Sequence, residues 1–273
     1  MRFEYAAPKE LSEISKLKEE GGVLFSGGTD VFVKMRAGAI APNLLVDTKK
    51  VQLPKLECDG NLKIYMNATY TDFLTTSCAK DFPLLSRVLI EVGSPQIRNR
   101  GTPIGNVGNA SPAGDFLLTL YVHDSKVILA PSMREVRIED LVTGPGRLSL
   151  EPAELIHSIE ISPLEGYRFY YEKVGRRNAL VISIASIALA IKLDGDVIED
   201  IRVAYGSVGP TVVRFKDLEE KMKGKKFERG LFEEVAEEYA NRVKPITDVR
   251  ATAEYRKKLV RNLLIKAFLS LKG

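Results

Sequence analysis

Residues 97–115, IRNRGTPIGNVGNASPAGD, put four glycines, two prolines and three asparagines into nineteen positions in the middle of otherwise ordinary globular sequence. Closely spaced glycines let a backbone approach another group without Cβ interference, and their N–H groups can converge on phosphate oxygens. A shorter glycine turn, SGGTD at 26–30, follows the strand-like VLF and precedes the amphipathic VFVKMR. Either turn alone reads as a plain tight turn. Together, if they face each other, they form a cradle for a pyrophosphate, with Ser111 and Asp115 available to a ribose or an adenine, and a dinucleotide cofactor fits that shape. Neither turn carries the GxGxxG of a Rossmann fold or the GK[ST] of a P-loop.

The chain has 273 residues, more than the ~100–200 of a typical single domain, so two domains or one elaborate domain is expected. Its 45% hydrophobic and 28% charged residues are those of a soluble globular protein. Forty Lys and Arg against 36 Asp and Glu are mixed along the chain, as in KLKEE and YRKKLVR, which describes a solvated surface and argues against nucleic-acid binding. The many Lys/Glu pairs and the absence of Trp are compatible with a thermophilic source. Cys58 and Cys78 share no CxxC spacing and have no neighbouring His, so this chain alone builds neither an iron–sulfur nor a zinc centre, and any such centre belongs to a partner. The N-terminus lacks a signal pattern. The longest apolar run, 179–193, is too short to span a bilayer, and a cytoplasmic location is expected.

Periodicity predicts a helix in PKELSEISKLKEE, strands at VLF, LLVDT and NLKIYMNAT, a helix capped by Thr71 and a second in FPLLSRVLIEVG. Beyond the glycine-rich stretch come a helix in DFLLTLYVH, an antiparallel pair SKVILA/REVRI, and a strand ELIHSIEI. The composition shifts at SPLEG (162–166), which sets the expected domain boundary. A β-meander folded at Asp194-Gly195 and three closing helices complete an α+β chain, the last domain being an antiparallel sheet backed by helices.

FSGGTD, IRNRGTPIGNVGNASPAGD, AELIHSIEI followed by FYYEKVGRRNAL, and the closing SVGPTVVR and DVRATAEYR stand in an order and spacing that resembles the medium, FAD-binding subunit of the molybdenum hydroxylases, over essentially the whole chain. The resemblance implies a two-subdomain FAD-binding fold of the vanillyl-alcohol-oxidase (PCMH) type at 1–162, with subdomains of about 1–55 and 56–162. A C-terminal domain like that of the carbon monoxide dehydrogenase flavoprotein would occupy 163–273.

Residue by residue, the resemblance implies a first FAD loop of Leu24, Phe25, Ser26, Gly27, Gly28, Thr29, Asp30 and Val31, with Gly27, Gly28 and Thr29 on the pyrophosphate. Valine at Gly27 and Gly28 is then expected to abolish FAD binding while leaving the fold. Thr102, Gly105 and Asn106 match the second loop, usually TIGGN in the family. Here it reads TPIGN, and Pro103 and Ile104 remove one close approach and one N–H donor. Ser111 and Asp115 match the adenosine-side segment, while Ile156 and Lys173 lie where the family's chain passes the isoalloxazine ring. His123 and His157 read as structural or exposed, and Arg176 and Arg177 as partner contacts or sheet caps. No catalytic or metal-binding set is expected on this chain.

The implied function is electron transfer. Non-covalent FAD takes electrons from [2Fe–2S] clusters on a small subunit, fed by a molybdenum-cofactor large subunit, and passes them to an external acceptor. The implied assembly is a dimer of heterotrimers. Two alternatives are a stand-alone flavin oxidoreductase of the same fold and a structural subunit that has lost FAD.

Overall fold

The structure, a computed structural model, describes residues 2–177 and 180–272; the first residue of the apolar run 179–193 and part of the NAL end of FYYEKVGRRNAL lie outside them. The chain divides into two compact units: Met1–Ala79, Gly93–Ala110 and Asp124–Ser162 form the first, and Lys80–Val92, Ser111–His123 and Pro163–Gly273 the second.

The first unit holds two sheets. Glu4–Ala6, Leu44–Asp47 and Val23–Phe25 pair in parallel with Leu44–Asp47 in the middle. Parallel strands need crossovers, and the helices Leu11–Glu19 and Val31–Arg36 supply them. Phe25, Met35 and Leu45 make the small core beneath. The second sheet is antiparallel, in the order Leu56–Asp59, Asn61–Tyr65, Leu155–Ile161, Lys126–Ala130, Arg134–Arg137. Its central strand is almost wholly buried and carries a bulge between Ile156 and Ser158. A Cys58–Cys78 disulfide ties an edge strand of this sheet to a segment 20 residues on. The sequence reading paired neither cysteine and missed the strands Glu4–Ala6 and Leu56–Asp59.

The second unit is an antiparallel meander of Arg168–Val174, Ala185–Asp194, Val197–Gly206 and Val213–Arg214. Its Asp194–Val197 turn is made by Gly195 at φ 59°, as the hairpin signal predicts. Helices Arg229–Arg242 and Ala253–Lys272 bury Phe232, Tyr239 and Phe268 with the sheet in one core. Helices Asp115–Val122 and Pro83–Leu89 also pack on this sheet. Coverage from both sides explains why ASIALAI (185–191) is a continuous buried run and not an alternating one. No helix among the described residues is long and apolar enough to cross a membrane.

One local expectation is corrected. The helix assigned to Thr71 starts earlier: Thr69 caps it, its hydroxyl accepting from the Asp72 N–H at 3.1 Å while the Asp72 carboxylate accepts from the Thr69 N–H at 2.7 Å. That reciprocal box satisfies two first-turn donors, which Thr71 alone cannot do. The glycine-rich stretch contains the short helices Pro95–Arg98 and Pro103–Asn109, each with proline in its first turn.

Candidate functional site

The first unit encloses a cavity of about 450 Å³, within the range of small-molecule and cofactor sites. Leu24 through Val31 line one side, Gly101, Thr102, Ile104, Gly105, Asn106, Gly108 and Asn109 another, and Leu148, Leu150, Leu155 and Ile156 a third. Every expected first-unit site residue is therefore at one cavity.

The two glycine segments touch. A Cβ built on Gly27 would lie 1.9 Å from the carbonyl oxygen of Arg100, so only glycine lets the loops close on each other. Gly28 has φ 75°, and its missing Cβ makes room for the Phe32 ring. Both glycines are thus set by the chain's own packing, so valine at either meets protein atoms as well as any ligand. Asn67, unnoticed in the sequence, holds the first loop from behind. Its Oδ1 accepts from Thr48 at 2.9 Å and Ser26 at 3.2 Å, and its Nδ2 donates to the Thr48 carbonyl at 2.8 Å. Lys49 adds a bond to the Ser26 carbonyl and an ion pair to Asp47, 2.7 Å away. Burial opposes charge on Asp47, but Lys49 and the Tyr5 hydroxyl outweigh it and hold that carboxyl below the usual range.

In the second loop Thr102 caps the helix Pro103–Asn109 and accepts from the Gly105 N–H at 3.0 Å. Pro103 stands at the first helical position, where an N–H would have no intrahelical partner, so the TPIGN departure fits the helix start. Ile104 takes up apolar wall area, and its amide remains the first-turn donor without a partner among the described residues. Lys34 donates to Asn109 Oδ1 and so bridges the two segments. Lys18 donates to the carbonyls of Pro152 and Glu151, and burial lowers its pKa. Where an added Cβ meets nothing within 4 Å, as at Gly108, the cavity wall is bare backbone.

Ile156 reaches the cavity from the central strand, next to the bulge. The residues before it are fixed by Glu154, which accepts from Arg134 at 2.7 and 3.0 Å, from the Glu151 N–H at 3.0 Å and from Ser132 at 3.2 Å. The Arg134 bonds, against the cost of burial, pull the Glu154 carboxyl down to about 2. Both histidines are buried. His157 stacks edge-on with Tyr65 and bonds Ser158, and burial lowers its pKa.

Ser111, Asp115 and Lys173 belong to the second unit and do not line this cavity. Asp115 and Lys173 form a buried ion pair at 2.8 Å, completed by the Tyr171 hydroxyl at 3.4 Å and the Glu91 carbonyl at 3.2 Å. Burial lifts the Asp115 carboxyl above its usual range, and Lys173 offsets part of that. The Ser111 hydroxyl accepts from the Ala113 N–H within its own turn. Arg176 donates to the carbonyls of Val249 and Arg250, more than seventy residues on, and Arg177 to that of Leu180, so both are tied to backbone.

The cavity is walled by two glycine segments and has an apolar side. The family described as the FAD binding domain in molybdopterin dehydrogenase matches residues 1–164, and the CO dehydrogenase flavoprotein C-terminal domain matches 169–271. The chain belongs to the FAD-binding medium-chain family of the molybdenum hydroxylases. It is 32% identical over 274 residues to the glyceraldehyde dehydrogenase medium chain of Sulfolobus acidocaldarius, with 97% of each chain covered. To the xanthine dehydrogenase FAD-binding subunit of Escherichia coli O157:H7 it is 28% identical over 251 residues, 89% of this chain and 86% of that one. A chain of carbon monoxide dehydrogenase from Hydrogenophaga pseudoflava superposes with a TM-score of 0.92 at 24% identity, covering 97% of this chain and 96% of that one, a likeness of fold.

Proposed function

We propose that the first unit's cavity holds FAD without a covalent link and that the chain is the electron-transfer flavoprotein subunit of a cytoplasmic molybdenum hydroxylase. In this reading Ser26 to Asp30, Thr102, Gly105 and Asn106 surround the pyrophosphate, Leu24, Phe25 and Val31 complete that wall, and Ile156 flanks the ring. Bound FAD supplies the capacity to hold one electron or two. The observation that carries the proposal is the closure of the two glycine segments at Gly27 and Arg100, which brings both onto the wall of one cavity. The residues present fit the group: Pro103 starts a helix without needing its N–H, and the Ile104 amide and the bare Gly108 face remain available. Asp115 and Lys173 pair with each other in the second unit.

Electrons would arrive from [2Fe–2S] clusters on a small subunit and leave for an external acceptor, with a molybdenum-cofactor large subunit as the third partner. The relatives are medium chains and FAD subunits of several dehydrogenases, which supports that division of labour. What the assembly oxidises is then decided on another chain.

The test is an absorption spectrum of the purified chain before and after FAD addition and gel filtration. Retained flavin bands at one per chain are expected. No retention, alone or with co-expressed partner subunits, rejects the proposal. Co-purified molybdenum and iron distinguish an electron-transfer subunit from a stand-alone oxidoreductase.

A further inference from the structure

The stretch of chain between Cys58 and Cys78 is bonded to both glycine segments. Asn67 Oδ1 accepts from the Ser26 hydroxyl at 3.2 Å, the Tyr70 N–H donates to the Gly101 carbonyl at 3.1 Å, and the Thr71 hydroxyl donates to Asn99 Oδ1 at 2.6 Å. Met66 and Tyr70, from the same stretch, line the cavity themselves. How firmly this stretch is fixed therefore sets how firmly both glycine segments are held.

Its two ends are secured differently. The first part, Asn61–Tyr65, is paired on both sides within the sheet, by Leu56–Asp59 and by Leu155–Ile161. The last part is the helix Tyr70–Leu74 and the 3₁₀ turn Ser77–Asp81, and directly after Ala79 the chain passes into the second unit. The disulfide ties that end back to the edge strand Leu56–Asp59. Phe73 is fully buried and keeps the helix packed without the bond, so opening it loosens the stretch and does not unfold it. Cys58 is exposed on the sheet edge while Cys78 is buried. Exposed disulfides are open to attack by a thiolate and are the labile ones. The chain has no third cysteine to exchange with, so the pair has two states, bonded and open.

We propose that Cys58–Cys78 is a reversible redox clamp on the two glycine segments and, resting on the reading that their cavity takes FAD, on how tightly the cofactor is retained. A dithiol reductant opens it. One of its thiolates attacks the Cys58 sulfur and Cys78 leaves as a thiolate that takes up a proton; the second thiol then displaces Cys58. Two electrons and two protons pass to the pair, leaving two cysteine thiols and the reductant's own disulfide. With the clamp open, ligand binding has to order the stretch that the bond had ordered, which lowers affinity without removing a contact.

Amide hydrogen exchange is measured on the flavin-free full chain, oxidised, reduced with dithiothreitol, and reoxidised, with thiols counted after denaturation. Neither cysteine is expected to react before reduction and both after it. Exchange over 26–30 and 99–102 should be roughly threefold faster in the reduced chain and return on reoxidation. Cys58→Ser with Cys78→Ser should exchange at the reduced rate with or without dithiothreitol, which separates the bond from the reagent; the wild-type chain carries the test by itself if circular dichroism shows that this variant fails to fold. FAD, titrated by its fluorescence, should bind roughly fivefold more weakly to the reduced chain. Free thiols in the oxidised chain, equal exchange in the two states, a change that reoxidation does not reverse, or equal FAD affinity in the two states overturns the proposal. Exchange is read without flavin, so a reversible change in a chain that binds no FAD in either state upholds the clamp on the glycine segments and rejects the FAD reading.

Discussion

Gly27 and Gly108 line the same cavity, yet substitution should affect them in opposite ways. Gly27→Ala drives a methyl into the Arg100 carbonyl, which cannot yield without parting the loops, so a loss of about 1–3 kcal/mol in denaturant unfolding, with loss of flavin retention, is expected. Unchanged stability and flavin content would show that the loops do not close as described. Gly108→Ala meets nothing within 4 Å in a helix, and a gain of about 0.5–1 kcal/mol is expected. If the cofactor lies against that bare face, flavin affinity falls even as stability rises. The sequence marked these glycines without saying which neighbour each one faces. Asp115 and Lys173 carry a similar lesson. Read singly, Asp115 suggests an adenosine contact whose loss costs ~1–3 kcal/mol of affinity. Paired with Lys173 in the second unit, its removal leaves a buried ammonium without a countercharge. Asp115→Ala should therefore cost about 3–5 kcal/mol of stability, and Asp115→Ala/Lys173→Met clearly less than the sum of the two single changes. Additive losses in the double variant would show that the two side chains do not depend on each other.

At the level of elements, the strand that delivers Ile156 depends on a carboxylate just outside it. Glu154 is held at about 2 by Arg134, far below its ordinary value of 4.5. A carboxyl depressed by folding contributes stability that is present above the unfolded value and is lost as pH falls from about 4.5 toward about 2. Unfolding free energy should drop through that window, and Glu154→Gln, weaker at neutral pH, should show a flatter profile there. Parallel pH curves for the two proteins would exclude Glu154 as the source. The helix 11–19 and the meander turn at Asp194-Gly195 were legible because the pattern and the punctuating residues are local. The cap at Thr69 was legible too, in the Thr-x-x-Asp spacing, but Thr71 competed for it, and the Asp72 side chain decided between them. Short edge strands such as Glu4–Ala6 and Leu56–Asp59 were not, since three or four residues carry no period and exist by pairing with a distant neighbour.

Across the whole molecule, the Cys58–Cys78 disulfide closes a loop of 20 residues within the first unit. The chain-entropy model assigns such a crosslink ~3 kcal/mol. Reduction, or Cys58→Ser with Cys78→Ser, should lower the denaturation midpoint accordingly, whereas an identical midpoint with and without reductant would show that the bond adds nothing to stability. By itself the sequence determined the α+β class, the order of the main elements, the two glycine turns that meet at one cavity, and the family. All of these rest on short-range spacing or on motifs kept in order along the chain. Tertiary structure alone decided that Asn67 and Lys49 brace the first loop, that Asp115 meets Lys173, and that residues 80–92 and 111–123 pack with the C-terminal unit. Those facts depend on contacts between residues tens of positions apart, which leave no periodic trace because one side chain at each end suffices to make them.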